Sequence, residues 1–240
     1  MYQVQRIAHE IGHELAQERD QTVAQQRRRE LPVRVDVIPA VVAVEGDGGH
    51  LRTRAADRGP GVHEVQGKET KVAALVALTG ATSQQDPQPD PATAFAQSRR
   101  VRRLMQQLNG WAGEPAESPE NTGAEAVRAP EEPDVSNRPV RRVRTCVASM
   151  ADGHTFGPMM AAEAQERGFY QAPRKAFVSD GAAYNWSIWR GYLGDFEPIT
   201  DFLHAVCYVH GAAWGVGGTE AERWSLYLGV DARVLAGPCG

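Results

Sequence analysis

The chain has 240 residues, 42% of them hydrophobic, which suffices to bury one sizeable core, or one domain with fragments of others. Lys and Arg total 26 against 30 Asp and Glu, and the net charge of -4 excludes a surface that grips nucleic acid over its whole extent. Cys146, Cys207 and Cys239 are odd in number and lack metal-type spacing, which excludes a disulfide framework and a zinc ribbon and points to a reducing cytoplasm. The first residues hold no apolar stretch of the signal-peptide kind. The longest apolar run, VIPAVVAV from Val37 to Val44, is too short to span a bilayer, so a soluble protein without a membrane partner is expected.

Residues 1–36 read as an amino-terminal helical segment. Val4, Ile7, Ile11 and Leu15 recur at helical spacing, which predicts an amphipathic helix from residue 3 to about 29. Residues 37–80 hold two predicted strands. Val37 to Val44 is β-branched and apolar and runs into Glu45, Gly46, Asp47, Gly48 and Gly49, as a buried central strand entering a turn does. Asp47 is therefore expected at the end of that strand, and Glu69 to Thr79 forms the second. Residues 81–140 are rich in Pro, Gln, Glu, Asp and Gly, with one helical stretch near Ala94 to Leu108, and read as a long, largely disordered insertion.

Orderly patterning returns over 141–214. Arg142 to Met150 is a third strand, and a short crossover helix follows around MMAAEAQER, with Pro158 suited to its first turn and Gly168 to its close. Lys175 to Ser179 is a buried strand that delivers Asp180 and Gly181 at its carboxyl end, where open α/β sheets place ligands. Ala182, Trp186, Trp189 and Leu193 continue at helical spacing. Phe202, Val206, Val209 and Ala213 then share one face of a further helix, with Asp201 as its cap. The fold class is α/β: a sheet flanked by helices and interrupted by the insertion.

The blocks EGDGGHLRTR, ETKVA, RTCVASMADGHTFGPMMAAEAQERGF, AFVSDGAAYNWSIW and ITDFLHAVCYVHGAA stand in one order along residues 30 to 214. Together they resemble the bacterial insertion-sequence transposases of the ISKra type, within the DDE superfamily. The resemblance implies a ribonuclease-H-like (RNase H-like) core, DNA cleavage and strand transfer, and a first and second catalytic, metal-holding aspartate at Asp47 and Asp180. It also implies DNA partners, namely element ends and target, and a second protomer, a homodimer, to synapse two ends. The family's third acidic residue has no counterpart in this chain, and residues 215–240 read as the start of a helical insertion domain, so a truncated enzyme is expected.

Phosphodiester cleavage builds negative charge on the attacking and leaving oxygens, which two divalent cations stabilise at once. Carboxylate oxygens suit Mg²⁺ or Mn²⁺. Arg52 and Arg54 fall on one side of a strand after Asp47, where they reach DNA phosphates, and Lys68 and Lys71 are further candidates. Asp201 and His204 match the block after the second aspartate, while helix capping and a partly buried histidine also account for them. Trp186 and Trp189 share a helical face and read as core.

Two other readings belong to different classes. His9, Glu10 and His13 form H-E-x-x-H on a predicted helix, the pattern by which zinc metalloproteases place two imidazoles and a general base. A decayed transposase would instead retain only DNA binding or self-association. Glu220 and Glu222 invite assignment as the third acid, but Thr219 to Glu222 fits a capping box at a helix start.

Overall fold

The computed structural model describes residues 2–53, 66–80, 84, 93–110 and 139–235. The chain divides into two units, Met1–Gly80 with Pro139–Asp201, and Ala81–Arg138 with Phe202–Gly240. Numbered along the chain, the helices are α1 (Tyr2–Arg27), α2 (Ser98–Gly110), α3 (Gly153–Glu166), α4 (Ala183–Tyr192), α5 (Phe202–Gly215) and α6 (Glu220–Leu235). The strands are β1 (Val41–Thr53), β2 (Gln66–Thr79), β3 (Val140–Ser149), β4 (Arg174–Ser179) and β5 (Glu197–Thr200).

The first unit is an α/β structure, a five-stranded mixed sheet in the order β3-β2-β1-β4-β5 flanked by helices. β2 is antiparallel to both its neighbours, whereas β1, β4 and β5 run parallel. The parallel steps need crossovers, and α3 and α4 fill that role. Val42, Val44, Leu75, Phe177 and Phe156 are each at most 1% exposed and form the centre of the core with Met160 and Ile188. Ala73 to Ala77 are all buried, so β2 is covered on both faces, as its unbroken apolar run suggests.

β1 differs from expectation in a way that matters. It begins at Val41 and continues through the glycines to Thr53, so Asp47 stands inside a strand and not at its end. The cause lies in β2, which supplies a paired partner at every step, including Gly46↔Ala73, Asp47↔Val72 and Gly48↔Lys71. A Cβ at Gly46 would come within 3.3 Å of Asn185 Oδ1 and 3.4 Å of Phe177, so close packing accounts for this glycine in mid-strand.

α3 also starts earlier than Pro158 suggests. Asp152 caps it by accepting from the Thr155 amide at 2.8 Å, which puts Pro158 in the second turn. Gly168 closes the segment as expected, with φ of 70° in the left-handed region. α4 packs Trp186 and Trp189 against the core, and Trp189 Nε1 donates to the Phe196 carbonyl at 2.8 Å. β5 was not anticipated, because its four residues are all exposed and carry no apolar pattern.

α1 corrects a second expectation. Val4, Ile7, Ile11 and Leu15 do not face the core; they are 74%, 44%, 51% and 61% exposed. The helix is held instead by its carboxyl half, where Val23 packs against the core and α3 lies alongside. Periodicity fixes which residues share a face, not what covers it.

In the second unit α2, α5 and α6 enclose Val101, Met105, Val206, Val209, Ala213 and Tyr227. The buried face predicted for α5 is the one observed, and Tyr227, fully buried, donates its hydroxyl to the Phe95 carbonyl at 3.1 Å. The expected helix near Ala94 to Leu108 is a short 3-10 turn, Thr93–Ala96, followed by α2. The disorder expected elsewhere in 81–140 falls on residues outside those described.

Candidate metal centre

The parallel ladder between β1 and β4 pairs Val44 with Phe177 and ends at Gly46↔Ser179. The next residue on each strand is an aspartate, so the register that buries Val44 and Phe177 brings Asp47 beside Asp180. One carboxylate oxygen of Asp47 lies within 4.8 Å of one of Asp180. Residues far apart in the sequence therefore present two hard oxygen ligands on a rigid sheet.

Asp180 is held from three directions. Its Oδ1 accepts from Asn185 Nδ2 at 2.9 Å, from the Ala182 amide at 2.9 Å and from Ser179 Oγ at 3.2 Å. Asn185 is 1% exposed, so its amide is fixed by packing and in turn fixes the carboxylate. Gly181, at φ of 91°, makes the turn from β4 into α4 that lets the Ala182 amide reach back. Asp47 is exposed, and its Oδ1 accepts from the following Gly48 amide at 2.7 Å.

Beside Asp47 the space that a side chain on Gly48 would fill belongs to Tyr184. A Cβ there would stand 2.7 Å from the Tyr184 hydroxyl oxygen. Burial raises the pKa of that hydroxyl, and the charge on Asp180 adds to the effect, with Glu69 and Asp47 contributing in the same direction. Lys71, opposite Gly48 on β2, is only 6% exposed; its ammonium lies 3.3 Å from the Glu69 carboxylate and 5.3 Å from the centre of the Tyr184 ring. Glu69 pairs with Lys71, and Asp47 and Asp180 bring two further carboxylates close to one another, a grouping suited to a cation. Two of those carboxylates offer oxygen to it, which fits a Mg²⁺-type donor set.

Lys68 is exposed on β2 opposite Leu51, whereas Lys71 is buried beside Glu69. Arg52 lies on β1 opposite Gly67, and Arg54 lies outside the described residues. The Asp201 amide donates to the Ser179 carbonyl at 2.7 Å and so ties the end of β5 to the end of β4. His204 is half-buried in the first turn of α5, in the second unit. Glu220 pairs with Arg102, and Glu222 accepts from the Thr219 amide at 2.7 Å while its own amide donates to Thr219 Oγ1 at 3.3 Å. That reciprocal pair is the capping box expected from the sequence.

His9, Glu10 and His13 occupy the exposed stretch of α1. Glu10 pairs with Arg6 at 3.8 Å and His13 Nε2 lies 3.0 Å from Gln17 Nε2. Among the described residues, no group of three metal-ligating side chains includes any of them. A cavity of about 380 Å³ opens between the 35–40 segment and β2 and β3, and among the described residues no carboxylate lines it.

Asn185, Tyr184 and Glu69 escaped sequence reasoning. A signal for Asn185 existed: it shares a helix face with Ile188, and a polar residue at such a position usually has a dedicated partner. No protein-family model, curated protein or solved structure matches this chain.

Proposed function

We propose that the chain is a DNA strand-transfer protein of the ISKra-type, DDE-superfamily insertion-sequence transposases, built on an RNase H-like core and dependent on Mg²⁺ or Mn²⁺. The observation that carries this reading is the adjacency of the Asp47 and Asp180 carboxylates at the ends of a parallel β1–β4 ladder. The strand order, with β2 antiparallel to its neighbours, supports it, because such a sheet is what the resemblance implies. Element ends and target DNA would be the substrates.

When bound, divalent cations would supply charge stabilisation for the attacking and leaving oxygens of a phosphodiester. Asp47 and Asp180 would hold them. Asn185, Ser179 and the Ala182 amide orient the Asp180 carboxylate, which leaves little reorganisation for the moment of reaction. Lys71 balances part of the local negative charge from a buried position, and Tyr184 walls the site beside Gly48.

A second reading, a remnant that binds DNA and metal without cutting, is favoured by one observation. Glu220 and Glu222, which follow Asp180 in sequence, are engaged in an ion pair and a helix cap within the second unit. The test is nicking of duplexes cut from the DNA that flanks the gene, with Mg²⁺ present. Nicking by the wild type and its loss in Asp47→Ala and Asp180→Ala is the expected result. Nicking that persists in both variants refutes the assignment. Metal-dependent DNA retention without nicking, lost in the same variants, selects the remnant.

A further inference from the structure

The described side chains of residues 3–15 in α1 are exposed around the whole circumference of the helix, and cover begins only at Ala16. A helix segment of this length without tertiary cover is marginal in water. Yet it carries Val4, Ile7, Ile11 and Leu15 on one face, at 74%, 44%, 51% and 61% exposure. Val4, Ala8, Ile11 and Leu15 alternate by four, three and four positions, the spacing of a coiled-coil seam, and Glu18 at the next seam position ends it.

The residues beside the seam complement one another. Ile7 and Glu14 border one side, and Gly12 and Arg19 border the other. In a parallel pair each residue of the first border faces the partner's residue about five positions further on in the second. Ile7 then meets the small Gly12 of the partner subunit, and Glu14 meets the partner's Arg19. An antiparallel pair would turn each border toward its own like and separate the two charges. Among the described residues Arg19 pairs with its neighbour Asp20 at 3.2 Å, a surface pair that is readily exchanged. Arg6, His9, Glu10 and His13 lie on the opposite side, so the H-E-x-x-H pattern would face solvent in the pair.

We infer that α1 is a self-association helix: two copies of this chain pair in parallel over residues 4–15, with Glu14 and Arg19 bridging across. The pairing is independent of any catalytic role for Asp47 and Asp180. Sedimentation equilibrium of the full chain at rising concentration is expected to show a monomer–dimer exchange. Ile11→Asp is expected to abolish it; because that residue lies outside the core, urea unfolding of the sheet domain should be unchanged, while helical circular dichroism should fall as the pairing is lost. Glu14→Arg or Arg19→Glu alone should weaken dimerisation by about tenfold, and the two together should restore it. A chain that stays monomeric, a dimer that survives Ile11→Asp, or a double charge swap that fails to restore association overturns the inference.

Discussion

Two aspartates placed as neighbours repel each other until a cation arrives, and this gives a stability test that needs no DNA. Their nearest carboxylate oxygens lie within 4.8 Å. At that separation the repulsion is about 0.9 kcal/mol in a water-like dielectric and about 3.5 kcal/mol at an effective dielectric near 20. Asp47 is exposed and Asp180 half-buried, which sets the value toward the lower figure. Asp47→Asn removes the charge, while its side-chain oxygen can still accept from the Gly48 amide as Asp47 does at 2.7 Å. In EDTA and low salt the variant is therefore expected to be more stable than the wild type by about 1 kcal/mol.

Added Mg²⁺ should reverse the ranking. A cation at one hundred times its dissociation constant stabilises the wild type by about 2.7 kcal/mol, and the variant, having lost a ligand, gains little. Urea unfolding followed by circular dichroism, with EDTA and then with Mg²⁺, reads both effects. Salt near 1 M should shrink the first difference, since the screening length falls to about 3 Å. If Asp47→Asn is no more stable than the wild type in EDTA and shows the same gain from Mg²⁺, the two carboxylates do not share a cation.

Asn185→Ala removes a buried donor from the Asp180 carboxylate and should cost about 2 kcal/mol. Calorimetric titration should also show Mg²⁺ binding weakened; unchanged affinity would mean that Asn185 does not orient the ligand. Gly48→Ala brings a Cβ against the Tyr184 hydroxyl at 2.7 Å, and Tyr184→Phe removes that oxygen. The double variant should recover at least about 1 kcal/mol relative to additive losses, and strict additivity would contradict the contact. The Thr219 amide and hydroxyl hold the Glu222 carboxyl below its ordinary pKa. A depressed folded-state pKa gives stability that is full above the ordinary carboxylate range and is lost as pH falls through the lowered value. Glu222→Ala should therefore lower the melting temperature at neutral pH, with the gap closing in acid; a gap that widens in acid would reverse the assigned sign.

The parts of this fold that were legible in the sequence share a cause. β4, α4 and α5 announce themselves through apolar residues at one clear period, bounded by Asp, Gly or Pro, and local spacing decides both element and buried face. β1 was legible only up to Val44. Its continuation through Gly46, Asp47 and Gly48 depends on pairing with β2 and on the pressure of Asn185 and Phe177, which act at long range. β5 escaped because an exposed strand of four residues has no buried face to impose alternation. Asp47 and Asp180 themselves were legible as candidates, but the side chains that hold and surround them were not. Asn185 and Tyr184 acquire their roles from packing against elements remote in the chain.

The core and the proposed metal centre are set by one and the same register. Phe177, with no exposed surface, sits opposite Val44, and this apolar pair fixes how β4 lies along β1. A slip by one residue would turn Phe177 to the other face of the sheet and would set Asp47 opposite Ser179 or the chain beyond Asp180. The hydrophobic cost of that slip, about 1.5–3 kcal/mol for Phe177 alone, exceeds the roughly 1 kcal/mol by which the two carboxylates repel in a water-like dielectric. Burial of apolar side chains can thus keep two like charges adjacent before any cation binds, and that imbalance is what makes a preorganised site physically affordable in this sheet.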